Sequence, residues 1–105
     1  MREYSSNPKH ESPGLMGRKG ARLDLSPVEA SQLLNDPLNC LEVPGKRQLV
    51  GVRNGKIYVF QDDGAGAFHA YPVTGNEVFT KFPSIAMRIA ALLNTDIKRL
   101  SRMNE

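Results

Sequence analysis

Two runs of β-favouring residues, 48–52 and 56–60, flank Arg53-Asn54-Gly55, and this arrangement restricts the fold more than any other feature of the chain. Asn-Gly is the preferred centre of a two-residue type I′ turn, because both central positions need positive φ. The turn fixes a register: Arg53 opposite Lys56, Val52 opposite Ile57, Gly51 opposite Tyr58 and Val50 opposite Val59. Side chains alternate faces along a strand. Val50, Val52, Ile57 and Val59 therefore share one face, and Leu49, Tyr58 and Phe60 share the other. Both faces are apolar, so each needs a cover. Gly51 is expected to leave room for the Tyr58 ring.

The flanking segments supply candidates for that cover. Leu25-Ser26-Pro27-Val28-Glu29 carries a helix-start signature, with Ser26 as cap, Pro27 at the first helical position and Glu29 closing a capping box. The spacing predicts a helix over 27–35, ended by Asn35-Asp36-Pro37. After the hairpin, 61–66 reads as a turn. Ala67-Phe68-His69-Ala70-Tyr71 reads as a third strand closed by Pro72, and a short fourth strand is possible near 41–43. Residues 73–81 read as loop. Residues 83–93 form an apolar helix expected to be buried across the sheet, stopped by Asn94. Thr95 or Asp96 caps a last helix with Ile97, Leu100 and Met103 inward. The expected class is α+β: an N-terminal helix, a three- to four-stranded antiparallel meander, and C-terminal helices packed on the sheet. Residues 1–24 read as a flexible arm and 25–105 as one domain.

Composition narrows the function. The chain has 105 residues, 40% of them hydrophobic, and a net charge of +3. No apolar run approaches the length of a membrane span, and residues 1–24 lack the apolar centre of a standard signal peptide. One cysteine, Cys40, excludes an internal disulfide and reads as a buried apolar residue. With only two histidines beside it, no metal site and no cofactor are expected. Gly64-Ala65-Gly66 is too short for a phosphate loop and follows two acids. The charge is blocky: Lys46, Arg47, Arg53 and Lys56 fall in a stretch without acids, and Lys98, Arg99 and Arg102 cluster near the end. If these blocks meet they suit a phosphate backbone; otherwise they are solvated faces. Strand length separates Lys46 and Arg47 from the Asn54-Gly55 turn by about 20 Å, so all four cannot touch one phosphate.

His69 and Tyr71 lie two apart on a strand and emerge from one face. An imidazole and a phenol near cations suit RNA cleavage without metal. The histidine removes the 2′-hydroxyl proton, a Lys or Arg stabilises charge on the phosphate, and a 2′,3′-cyclic phosphate results. The competing reading is a pair packed beneath a helix. Asn7-Pro8-Lys9-His10 supplies the second histidine, which completes an acid–base pair only if the arm folds back; otherwise it belongs to an unstructured tail.

Ser6-Asn7-Pro8-Lys9-His10, Leu25-Ser26-Pro27-Val28-Glu29-Ala30, Val43-Pro44-Gly45-Lys46-Arg47, Gly55-Lys56-Ile57-Tyr58-Val59-Phe60 and Phe68-His69-Ala70-Tyr71-Pro72 follow one another in this order. The series resembles the small C-terminal toxin domains of bacterial polymorphic toxin systems, including contact-dependent inhibition. Those domains often show an N-P-K-H opening and a W-H-G-Y-P-like strand; Phe68 and Ala70 stand where Trp and Gly are expected. The resemblance implies a domain freed from a larger secreted toxin, acting in the target-cell cytoplasm and blocked by a cognate immunity protein. It implies similarity to the barnase–EndoU–colicin–RelE group of metal-independent ribonucleases, with RNA, first of all tRNA, as substrate and a monomeric free state. His69, His10, Tyr71, Lys9 and Lys46 become the catalytic candidates, and Arg47, Arg53, Lys56, Lys98, Arg99 and Arg102 the nucleic-acid-binding ones. The alternative is a non-enzymatic, cytoplasmic α+β module that binds nucleic acid or a protein partner through its basic patches. A third option is a His-centred enzyme of another class, such as a transferase.

Overall fold

The computed structural model describes residues 1–5 and 23–103. In chain order the elements are β1 (Glu3–Tyr4), α1 (Pro27–Leu34), β2 (Cys40–Glu42), β3 (Gln48–Arg53), β4 (Lys56–Asp62), β5 (Ala67–Val73), α2 (Gly75–Lys81), a 3-10 turn (Pro83–Ile85), α3 (Ala86–Leu92) and α4 (Ile97–Leu100). The class is α+β. The strands form one mixed sheet in the order β1-β5-β4-β3-β2.

The β3–β4 hairpin has the expected pairs, from Arg53 opposite Lys56 to Val50 opposite Val59. Its turn uses left-handed backbone at Asn54 (φ 54°) and Gly55 (φ 74°), which is the type I′ requirement. Both faces of the central strands are buried. On one face Val50, Val52, Ile57, Val59 and Val73 join Val78, Phe82, Ile85, Ala86, Ile89 and Leu100 of the C-terminal helices. On the other, Leu49, Tyr58, Phe60 and Ala70 join Leu23, Leu25, Ala30, Leu33 and Leu34 of α1 and the segment before it. The sheet is thus the middle of three layers, as two apolar faces demand.

Side-chain caps start α1, α2 and α4. Ser26 and Glu29 form a reciprocal box at α1, with bonds of 3.1 and 2.9 Å. Thr74 and Glu77 form a second at α2, with bonds of 3.0 and 3.1 Å. Asp96 Oδ1 accepts from the Arg99 N–H at 2.8 Å at α4. Among the described residues no helix is long and apolar enough to cross a membrane.

Several expectations need correction. The sheet has five strands and is mixed, and the first element is a strand rather than a helix. β1 runs parallel to β5. It is held by the Ser5 N–H donating to the Phe68 carbonyl at 2.8 Å, and the Asn35 amide brackets the Arg2 backbone with bonds of 2.7 and 3.0 Å. Within the expected 1–24 arm, residues 1–5 and 23–24 belong to the folded unit; the rest of it lies outside the described residues. Asp24 takes hydrogen bonds from Lys56 Nζ and the Tyr58 hydroxyl, tying the start of the second segment to the hairpin. Residues 75–81, expected as loop, are helical because Thr74 and Glu77 cap them. Pro72 does not close β5 but sits within it, past the two residues that β1 covers, where an open edge tolerates a missing N–H. Met87 is 71% exposed, so α3 is not buried all round. Gly51 makes room for Leu33 rather than for Tyr58: a Cβ there would lie 2.9 Å from the Leu33 side chain.

Two glycines give a graded test. A Cβ at Gly75 would stand 1.7 Å from the Leu100 carbonyl oxygen, where α2 begins against the end of α4. Backbone cannot yield there as the Leu33 side chain can at Gly51. Gly51→Ala is expected to cost about 1–3 kcal/mol, and Gly75→Ala more than about 3 kcal/mol; urea unfolding of the two variants checks the order.

The Asp24 tether gives a pH prediction. Burial raises the Asp24 carboxyl, but the bonds from Lys56 and Tyr58 outweigh it and hold the group below its ordinary value of 3.8. A depressed carboxyl stabilises the fold above its unfolded value, and that contribution is lost as pH falls through the folded one. Asp24→Asn should therefore lower stability at pH 7 and flatten its decline below about pH 4, read by urea titrations across that range.

Candidate functional site

The period-two alternation of β3, β4 and β5 brings three polar side chains into a row at the end of the sheet away from the Asn54-Gly55 turn. Gln48 pairs with Gln61, and Gln61 with His69. All three are half-buried and share the face of Val50, Val59 and Tyr71. Tyr71 packs against the apolar cluster with its ring, while Gln48 Nε2 donates to its hydroxyl at 3.3 Å. The row is where the apolar cover of that face gives out.

His69 is held from two sides. Its Nδ1 lies 2.7 Å from the Ser5 carbonyl oxygen. A carbonyl only accepts, so Nδ1 carries the hydrogen, and in the neutral ring Nε2 is the nitrogen with the lone pair. Nε2 faces Asp63 Oδ2 at 3.4 Å, a longer contact than a tight hydrogen bond. Asp63 is itself fixed: its Oδ1 accepts from the N–H groups of Ala65 at 2.7 Å and Ala67 at 3.2 Å. The Ala65 bond is the largest reason that its carboxyl stays below the ordinary value, with the Ala67 bond adding to it and the His69 ring adding only when it is protonated. The site has a ring held at both nitrogens, a phenol on the same face and two carboxamides.

Of the catalytic candidates, His69 and Tyr71 are brought together on one sheet face, and neither is sealed in the core. Lys46 lies at the same end of the sheet but turns to α2, donating to the Lys81 carbonyl at 3.4 Å and standing 5.2 Å over the Phe82 ring. Lys9 and His10 lie outside the described residues. The two basic blocks do not merge with the histidine. Arg47 pairs with Asp62 at 3.6 Å, Arg53 with Glu29 at 3.8 Å and Lys56 with Asp24 at 2.6 Å. Arg53 and Lys56 sit at the hairpin end, about 17 Å along the strands from the Gln48–Gln61 pair. Lys98, Arg99 and Arg102 are exposed on and after α4.

Sequence reasoning leaves out Gln48, Gln61, Asp63 and Ser5. The alternation already places the two glutamines on the face of Val50 and Val59, so they were within reach of the pattern. Asp63 needs the geometry of the 62–66 turn, and Ser5 acts through its carbonyl, which no side-chain pattern reveals. Among the described residues no three His, Cys, Asp or Glu side chains group as metal ligands. Burial pushes the Cys40 thiol up to about 12, which makes it a poor nucleophile.

His69→Ala removes the Ser5 bond and the Asp63 contact. It is expected to cost about 1 kcal/mol and leave the fold intact, as urea unfolding and the amide spectrum will show. Comparison with protein-family models, with curated proteins and with solved structures finds no match for this chain.

Proposed function

We propose that the chain is a metal-independent ribonuclease domain, with His69 as the proton-transfer group. The observation that carries the reading is the fixed ring of His69: the Ser5 carbonyl takes Nδ1–H, which in the neutral ring leaves the Nε2 lone pair for a substrate proton, on a row that the apolar core does not cover. Nε2 takes the proton of an RNA 2′-hydroxyl. The 2′-oxygen then bonds to phosphorus, the bond from phosphorus to the 5′-oxygen breaks, and the leaving oxygen takes a proton from water. The Tyr71 phenol hydrogen-bonds a non-bridging phosphate oxygen, and Lys46 supplies positive charge at that end of the sheet. Asp63 occupies the position that the 2′-hydroxyl must reach, so substrate displaces its long contact with Nε2. Lys9 and His10 enter the proposal through the N-P-K-H resemblance, as do tRNA as substrate, origin in a larger secreted toxin and the immunity protein.

A second reading is favoured by one observation. Lys98, Arg99 and Arg102 are exposed on and after α4 and not on the histidine row, as expected of a non-enzymatic module that binds nucleic acid or a protein partner through a basic patch.

Incubation with total tRNA in EDTA separates the two. The ribonuclease reading predicts fragments ending in 2′,3′-cyclic phosphate and a loss of about 10²–10⁴-fold in rate for the folded His69→Ala variant. Intact RNA with salt-sensitive binding overturns it in favour of the module.

A further inference from the structure

A cleft of about 310 Å³ opens at the hairpin end, where the Asn54-Gly55 turn meets the C-terminal ends of α1 and α3. It is remote from His69, and neither proton transfer nor the Tyr71 row uses it. Its apolar walls come from Leu33, Val52 and Leu92, and its polar groups are the carboxamides of Gln32, Asn39 and Asn54 and the guanidinium of Arg53.

The chemistry of this lining selects a ligand class. Asp36 also lines the cleft, but its oxygens are engaged by the N–H groups of Leu38 and Asn39 and by Asn39 Nδ2. The Asn39 and Leu38 bonds hold its carboxyl below the ordinary value, so Asp36 stays charged and the cleft disfavours a bare anion. Arg53 is braced by Gln32 Oε1 at 3.4 Å and by Glu29 at 3.8 Å, which hold its planar group in place. With Glu29 beside it, Arg53 is poorly suited to a bare anion and better suited to stacking on a flat ring. Gln32 Oε1 already accepts from Arg53 and Asn39 Nδ2 already donates to Asp36, so the edge of a heterocycle meets the Gln32 amide donor, the Asn39 amide oxygen and the Asn54 carboxamide, which together still offer donors and acceptors. A volume near 300 Å³ is at the small end of ligand sites.

We propose that this cleft binds a nucleobase, presented by a mononucleotide or by an unpaired nucleotide of RNA. The base lies against the Arg53 guanidinium over the apolar wall, and the carboxamides of Gln32, Asn39 and Asn54 meet its edge. The site does not depend on the cleavage reaction; a binding module and a nuclease would use it alike.

The test is an amide NMR titration of the full chain with the four ribonucleoside monophosphates, and with ribose 5-phosphate as control. The expected result is a shift of the Gly55 backbone resonance and of the Gln32, Asn39 and Asn54 side-chain resonances with at least one nucleotide and not with the control. Arg53→Ala should weaken that binding about tenfold or more. Asn54→Gly, which suits the positive φ of the turn, should weaken it while keeping the hairpin. His69→Ala should leave it unchanged, so failure of the nuclease reading and failure of this one are distinguishable. Equal shifts with ribose 5-phosphate, shifts confined to residues 98–102, or no shift with any nucleotide would overturn the proposal.

Discussion

The two-faced burial of the β3–β4 hairpin is the constraint on which the rest of the molecule depends. A strand pair with valines and isoleucine on one side and leucine, tyrosine and phenylalanine on the other cannot leave either face in water. One face takes α1 and the residues just before it; the other takes the three C-terminal helices. The close passages of the structure follow from this sandwiching. Leu33 occupies the space that Gly51 leaves, and the start of α2 presses on the end of α4 where only Gly75 fits.

The same constraint decides where chemistry is possible. Apolar cover ends before the Gln48–Gln61–His69 row, so the histidine is half-buried rather than enclosed. At the opposite end the helices diverge around the turn and leave the cleft at Arg53. The molecule therefore has two polar ends separated by a core. The cations divide between these ends instead of forming one patch. Local acids, Asp62, Glu29 and Asp24, neutralise three of the cations that a linear reading would assign to nucleic acid.

What was legible in the sequence was local. Asn54-Gly55 fixed the hairpin register, and Ser26-Pro27-Val28-Glu29 fixed the start of α1, because turn and cap chemistry act over four residues. The same signature at Thr74-Gly75-Asn76-Glu77 was equally available, and without it α2 reads as loop. β1 was not legible: two residues of parallel strand have no period, and their place is set by backbone bonds to β5 and by the distant Asn35 amide. The pairing of cations with acids was hidden for the same reason, since Lys56 meets Asp24 across 32 positions of chain. His69 and Tyr71 were placed on one face by alternation alone, whereas the groups that define the histidine, the Ser5 carbonyl and Asp63, come from elsewhere in the fold.

The central functional claim is that His69 presents Nε2 to substrate while Nδ1 is bonded to Ser5. Nitrogen-15 NMR of the ring tests this most directly. In the neutral ring the account predicts a protonated Nδ1 and an unprotonated Nε2, and an Nε2 resonance that moves when a 2′-O-methyl RNA oligonucleotide, which resists this cleavage, is added. A neutral ring protonated at Nε2, or an Nε2 signal indifferent to the oligonucleotide at saturating concentration, would contradict it.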